Sequence, residues 1–148
     1  MNCIIMGLSH FGVALAQRLT AMGHEVLGID MDLHKINEYK DSIKNTICLN
    51  INNQQAIQTL PLKDADIIFV TIRKDIGASI QAVALLKQYK ARRIIACSIS
   101  DIHTTILKAM GITEIIRNWN MQIFSLPVSN GQILFLHIKL PVIILYRN

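Results

Sequence analysis

A short apolar run, Cys3-Ile4-Ile5-Met6, gives way to Gly7-Leu8-Ser9-His10-Phe11-Gly12 and then at once to a helical pattern, and the next apolar run ends in Asp30. That order of residue types suits a phosphate and a ribose. Gly7 lets the chain turn sharply off a strand, and Gly12 lets the following helix pack closely on the sheet. Unpaired amides at the helix start would face an anion. A carboxylate at Asp30 can accept both hydroxyls of a ribose and should disfavour a 2′-phosphate, so NAD(H) or ATP/ADP is expected over NADP. Ser9 holds the middle position, where glycine normally lets the backbone approach a pyrophosphate. Its hydroxyl can donate to a phosphate oxygen instead. The alternative is an α/β scaffold that has kept the fold and lost the ligand.

Two further side chains could meet an anion. His10 on the first helical turn can donate to a phosphate or simply face solvent. Arg73 can clamp a phosphate as a planar donor or point into water. Chemistry by the chain itself finds little footing. His24, His34, His103 and His137 lack metal-ligand spacing, Cys3, Cys48 and Cys97 likewise, and neither Ser9 nor Ser98 has an identifiable triad. A binding module rather than an enzyme is expected; an oxidoreductase fragment would have to use Ser98 or His103 as proton donor.

These residues need strands and helices to position them. Residues 3–6 read as a strand buried on both faces, and a helix from about Phe11 places Phe11, Leu15, Leu19 and Met22 on one face before Gly23 caps it. Residues 25–29 form the second strand. Asp32 caps a short helix with Leu33, Ile36 and Tyr39 on one face. Residues 46–49 give a brief third strand that leads to Asn50 and Ile51, and residues 54–60 a helix stopped by Pro61. Residues 66–71 are an uninterrupted apolar strand suited to the middle of a parallel sheet, followed by a ligand-edge loop over 72–75. A helix over 77–89 carries Ile80, Val83, Ala84 and Lys87 on successive turns. A strand over 93–98, a helix over 102–110 and a strand over 113–116 complete the alternation. Ala21-Met22-Gly23 and Ala109-Met110-Gly111 repeat the same helix-ending punctuation. The pattern predicts an α/β, Rossmann-like doubly wound parallel sheet of six strands in the order 3-2-1-4-5-6.

The 148 residues make room for one ordinary domain, over 1–117, and an atypical apolar tail over 118–148 with no second ligand-binding domain. That tail is too short and too interrupted by His137, Lys139 and Pro141 to span a bilayer as a helix. An extra strand pair, a partner-facing segment, a poorly ordered tail or a shifted reading frame all fit it. A hydrophobic share of 51% with 17% charged residues suits a packed core. The net charge of +5 is scattered; Lys87, Lys90, Arg92 and Arg93 cluster at a helix end without interleaved stacking aromatics, which argues against nucleic acid. The cysteines read as small buried hydrophobes in a reducing cytosol, and no signal peptide precedes the first strand.

Taken together, GLSHFGVALAQRLTAMGHEVLGID, the stretch over 45–55, DADIIFVTI, GASIQAVALLKQ and LKAMGITEII resemble the cytoplasmic regulators of potassium conductance, also called TrkA-N domains, over about residues 1–117. The resemblance implies a homodimer, or a higher homo-oligomer, that binds NAD(H) or an adenine nucleotide. It would control a potassium channel or transporter subunit from the cytoplasmic face of the membrane, with no spanning segment of its own. It also implies phosphate contact from Gly7, Ser9, His10, Phe11 and Gly12, ribose contact from Asp30, and adenine near Asn50 and Ile51, with Leu8 and Met31 also among the cofactor-binding residues. Thr71, Ile72 and Arg73 would border the phosphates or a second nucleoside. Departures from the family pattern are Ser9, Arg73 where a small residue is common, and Arg117-Asn118-Trp119 in place of the turn into a long crossover helix.

Overall fold

The computed structural model describes residues 1–117; the tail over 118–148 lies outside the described residues. Elements alternate from the start: β1 Asn2–Met6, α1 His10–Ala21, β2 Glu25–Asp30, α2 Leu33–Tyr39, β3 Asn45–Cys48, α3 Gln54–Gln58, β4 Ile67–Val70, α4 Ile76–Gln88, β5 Ile94–Cys97, α5 Asp101–Ala109 and β6 Glu114–Ile116. All strand pairs are parallel, and the order is β3-β2-β1-β4-β5-β6. The predicted architecture is the observed one.

Strand alternation builds a core on each face of the sheet. Cys3 and Ile5 of β1, with Ile67 and Phe69 of β4, pack under Phe11, Leu15, Ala16 and Leu19 of α1 and Ile36 of α2. Ile4 and Met6, with Ile68 and Val70, pack under Ile57 of α3, Ala82, Val83 and Leu86 of α4 and Leu107 of α5. Every residue of β4 is buried, as a strand covered by helices on both sides must be.

The change of face between α2 and α3 matters most for function. From β1 the chain winds outward one way through β2 and β3, then returns to lay β4 on the other side of β1. Connections therefore leave the carboxyl ends of β1 and β4 in opposite directions, which opens a crevice there. The Gly7 turn sits at that point.

Helix ends follow the sequence punctuation. After α1 and after α5, Gly23 and Gly111 adopt φ of +82° and +81°, and the same capping bond closes each end, His24 N–H to the Leu19 carbonyl after α1 and Ile112 N–H to the Leu107 carbonyl after α5, both at 3.0 Å. After α4, Lys90 takes the left-handed position at φ 57°.

Three side-chain placements differ from the sequence expectation. In α4 the buried face is Ser79, Ala82, Val83 and Leu86; Ala84 and Lys87 are exposed, because the helix is apolar around most of its girth and Ser79 disguises the true face. Leu33, at the first position of α2, is 57% exposed rather than sharing the face of Ile36. Cys48 is exposed, since β3 is a short edge strand covered poorly on both sides. Cys3 and Cys97 are buried as expected.

Candidate functional site

Two contacts explain why glycine is needed at both ends of the turn. Gly7 has φ +99°, and a Cβ there would lie 2.8 Å from the Ile72 amide nitrogen. A Cβ on Gly12 would fall 2.6 Å from Thr71 Oγ1 and nearer still to the Gly7 carbonyl oxygen. The turn is thus clasped against the loop after β4. Thr71, fully buried, fastens it: its N–H donates to the Met6 carbonyl at 2.8 Å, and its hydroxyl donates towards the Met6 and Gly7 carbonyls.

Ser9 has a role the glycine pattern concealed. It is the N-cap of α1, in extended backbone at φ −68° and ψ 167°, and its Oγ accepts the Gly12 N–H at 3.2 Å. No glycine is required by that conformation, and the hydroxyl fills one of the helix's unpaired donors. Ser9 is half-buried and His10 exposed, so the head of α1 is open to a ligand. Leu8 and Phe11 are buried among the core, which leaves only backbone atoms for any contact, and the Leu8 N–H is already given to Asp30.

Asp30 is 8% exposed and organises the far side of the turn. Its Oδ2 accepts the Leu8 N–H at 2.7 Å and the Lys35 ammonium at 3.1 Å, and its Oδ1 accepts the Asp32 N–H at 2.9 Å. The carboxylate therefore ties the glycine turn of β1 to the end of β2. Lys35 went unnoticed in the sequence; the acid lies at a strand end and the lysine on the next helix, so no helical or strand period pairs them. Asp32 accepts the His34 N–H at 2.9 Å, the predicted cap of α2.

Farther along the same edge, Met31 is 67% exposed beside Asp30. Asn50 is exposed and stabilises the turn after β3 by accepting the Asn52 N–H at 2.9 Å. Ile51 points into the core instead. Ile72 lies half-buried against Gly7, and Arg73 is half-buried with its charge felt at Cys97. Burial pushes the Cys97 thiol up to about 12, with Arg73 opposing, which leaves it unreactive.

Of the proposed proton donors of an oxidoreductase, Ser98 is engaged beside its own strand end, and His103 is sealed from solvent with its Nε2 unpartnered among the described residues. Ser98 Oγ donates to the Ser100 carbonyl at 2.9 Å and lies 2.7 Å from Thr104 Oγ1. His103 is fully buried, with Nδ1 near the Ile99 amide at 3.4 Å. Burial holds His103 below its ordinary 6.5. The unfolded chain then binds the proton first, so stability is fully present above 6.5 and is lost as pH falls from there towards the lowered folded value. Urea titrations between pH 7 and about 5.5 are expected to show falling stability, with a shallower slope in His103→Asn. An unchanged slope in the variant would refute neutral burial of His103.

A cleft of about 310 Å³ lies among Lys87, Arg92, Arg93, Ile112 and Glu114, at the amino ends of β5 and β6. It is on the opposite edge of the sheet from the Gly7 turn, and Arg93 there is paired with Glu114 at 2.5 and 2.7 Å. The chemistry of the glycine turn does not extend to it. Among the described residues no helix is long and apolar enough to cross a membrane.

The profile of the TrkA-N domain matches residues 3–118. The Ktr system potassium uptake protein C of Bacillus subtilis (strain 168) is 28% identical over 112 residues, covering 76% of this chain and 51% of that protein. The chain thus spans about half the length of such curated relatives. Among solved structures, the GsuK channel bound to NAD superposes with a TM-score of 0.68 at 12% identity, covering 77% of this chain and 21% of that one. The Shewanella denitrificans Kef C-terminal domain in its AMP-bound form gives 0.67 at 20% identity, covering 80% and 72%. At those identities the structures speak for the fold.

Proposed function

Because the chain belongs to the TrkA-N domain family, we propose that it is the nucleotide-sensing part of a cytoplasmic regulatory subunit for potassium transport, acting on a membrane channel or transporter as a homodimer or higher homo-oligomer. The ligand is NAD(H) or ATP/ADP. Its phosphates lie over the Gly7 turn and the head of α1, drawn by backbone amides and His10. Its ribose approaches Asp30, and Met31 and Asn50 border the adenine. Arg73, beyond β4, faces the far phosphate or second nucleoside. The chain's own residues bind and orient the nucleotide.

One observation carries this reading. The Asp30 carboxylate holds the Leu8 amide at 2.7 Å, so the ribose-binding acid and the phosphate turn form one rigid unit. A ligand bridging them would contact both ends of that unit at once. Support for the potassium role comes from the family match and from the potassium uptake protein named above, similar to this chain over 112 residues.

Equilibrium titration with NADH, ATP and ADP tests the proposal. Saturable binding tighter than about 1 mM, near −4 kcal/mol, is the expected result for at least one of them. Absence of binding by all three would leave an apo scaffold as the surviving account.

A further inference from the structure

We propose that Lys35 makes the ribose end of this pocket tolerant of a 2′-phosphate, so that adenine nucleotides of the NADP(H) class are admitted alongside NAD(H). The inference rests on the nucleotide reading above and reverses the expectation that Asp30 turns such ligands away. An acid at a strand end repels a 2′-phosphate only while its charge is uncompensated. Here Lys35 Nζ stands 3.1 Å from Asp30 Oδ2, and the pair carries no formal net charge.

Acceptor capacity points the same way. A carboxylate has about four acceptor positions. Leu8, Asp32 and Lys35 already fill three on Asp30. With Lys35 in place, both hydroxyls of an unmodified ribose cannot be accepted together. Lys35 is 29% exposed, whereas Asp30 is 8% exposed, so the lysine is the partner able to move. Its ammonium, on a flexible stem with rotatable donors, can swing from Oδ2 to a phosphate oxygen. That single movement frees an acceptor for the 3′-hydroxyl and brings one positive charge to the added phosphate, offsetting part of its roughly −2 charge while staying beside Asp30. The other acid on this turn, Asp32, is exposed and caps α2, so water and salt screen its charge.

NADH and NADPH differ only in the 2′-phosphate, and titrating both at fixed ionic strength into the full chain isolates its effect. The wild-type protein is expected to bind them within about 5-fold of each other, and Lys35→Met to weaken NADPH relative to NADH by about 10-fold, the scale of one charged hydrogen bond. Lys35→Arg should restore the wild-type ratio. NADH binding with an NADPH:NADH ratio unchanged in Lys35→Met would overturn the role of Lys35 alone. So would wild-type NADPH affinity about 100-fold below that for NADH. Failure of the wild-type chain to bind NADH, ATP or ADP would instead remove the nucleotide reading and this inference with it.

Discussion

Substituting alanine for Gly12 is expected to lower stability by about 2 kcal/mol, or roughly 8 °C in Tm, even though alanine is the better helix former. The two effects have opposite signs. Removing a glycine from a helix interior should gain about 1 kcal/mol. Forcing a methyl between the Gly7 carbonyl and Thr71 Oγ1, whose built separation from it is 2.6 Å, should cost about 3 kcal/mol, because a buried main chain cannot retreat as a flexible side chain can. The clash wins. Gly23→Ala is the control: φ is +82° but nothing lies within 4 Å of the added carbon, so only the backbone penalty of about 1 kcal/mol applies. A double variant, Gly12→Ala with Thr71→Ala, should be less destabilised than the sum by about 1 kcal/mol, since the two side chains compete for one space. Chemical denaturation of the wild type, Gly12→Ala, Thr71→Ala and the double variant, with Gly23→Ala beside them, decides the matter, and strict additivity would refute the proposed wedge. Nucleotide binding should weaken in Gly12→Ala as well, because the head of α1 must move off the turn.

The contrast between those two glycines shows what a sequence can disclose. Gly23 and Gly111 were legible because a left-handed helix cap is a local demand, met within a few residues of chain. The sheet order was legible for a related reason: apolar strands separated by single helices have few ways to pair in parallel. Gly12 was legible in kind, but its tightest contacts are with Gly7 and with Thr71, a residue far along the chain that no local pattern connects to it. Ser9 was read as a missing glycine, although a serine three residues before Gly12 at a helix start is also a cap; the stronger motif hid the weaker one. The Lys35–Asp30 bridge was out of reach, because it joins a strand end to the next helix through a turn of irregular geometry. In α4, periodicity failed where a polar residue, Ser79, faces inward and alanine, Ala84, faces out. Local rules therefore recovered the frame, while the contacts that shape the site are mainly tertiary.

Asp30→Ala is expected to have the largest effect on function, weakening NADH or ADP by about 100-fold, while lowering Tm by roughly 10 °C. The binding loss follows from removing the charged acceptor of the ribose, at about 1.5–3 kcal/mol for each hydrogen bond to a charged group. The stability loss has a separate origin. The Leu8 N–H is buried, and without Oδ2 it has no partner, at about 1–3 kcal/mol; the Asp32 N–H loses its acceptor too. Asp30→Asn separates the two roles. Its amide can accept through one end only, so it must turn a donor towards either Leu8 or Asp32, and it gives up the bridge to Lys35. Stability should then fall nearly as far as in the alanine variant, whereas binding should retain part of the ribose contact. Binding must be measured at a temperature where each variant is fully folded, with far-UV circular dichroism as the check. Wild-type Tm in both variants would show that Asp30 does not hold the turn. Reduced Tm with undiminished nucleotide affinity would show that it holds the turn but does not meet the ribose. Only joint loss fits a residue that serves both, and in that case the acid which fixes the pocket is also the one through which a ligand can report its presence to the rest of the fold.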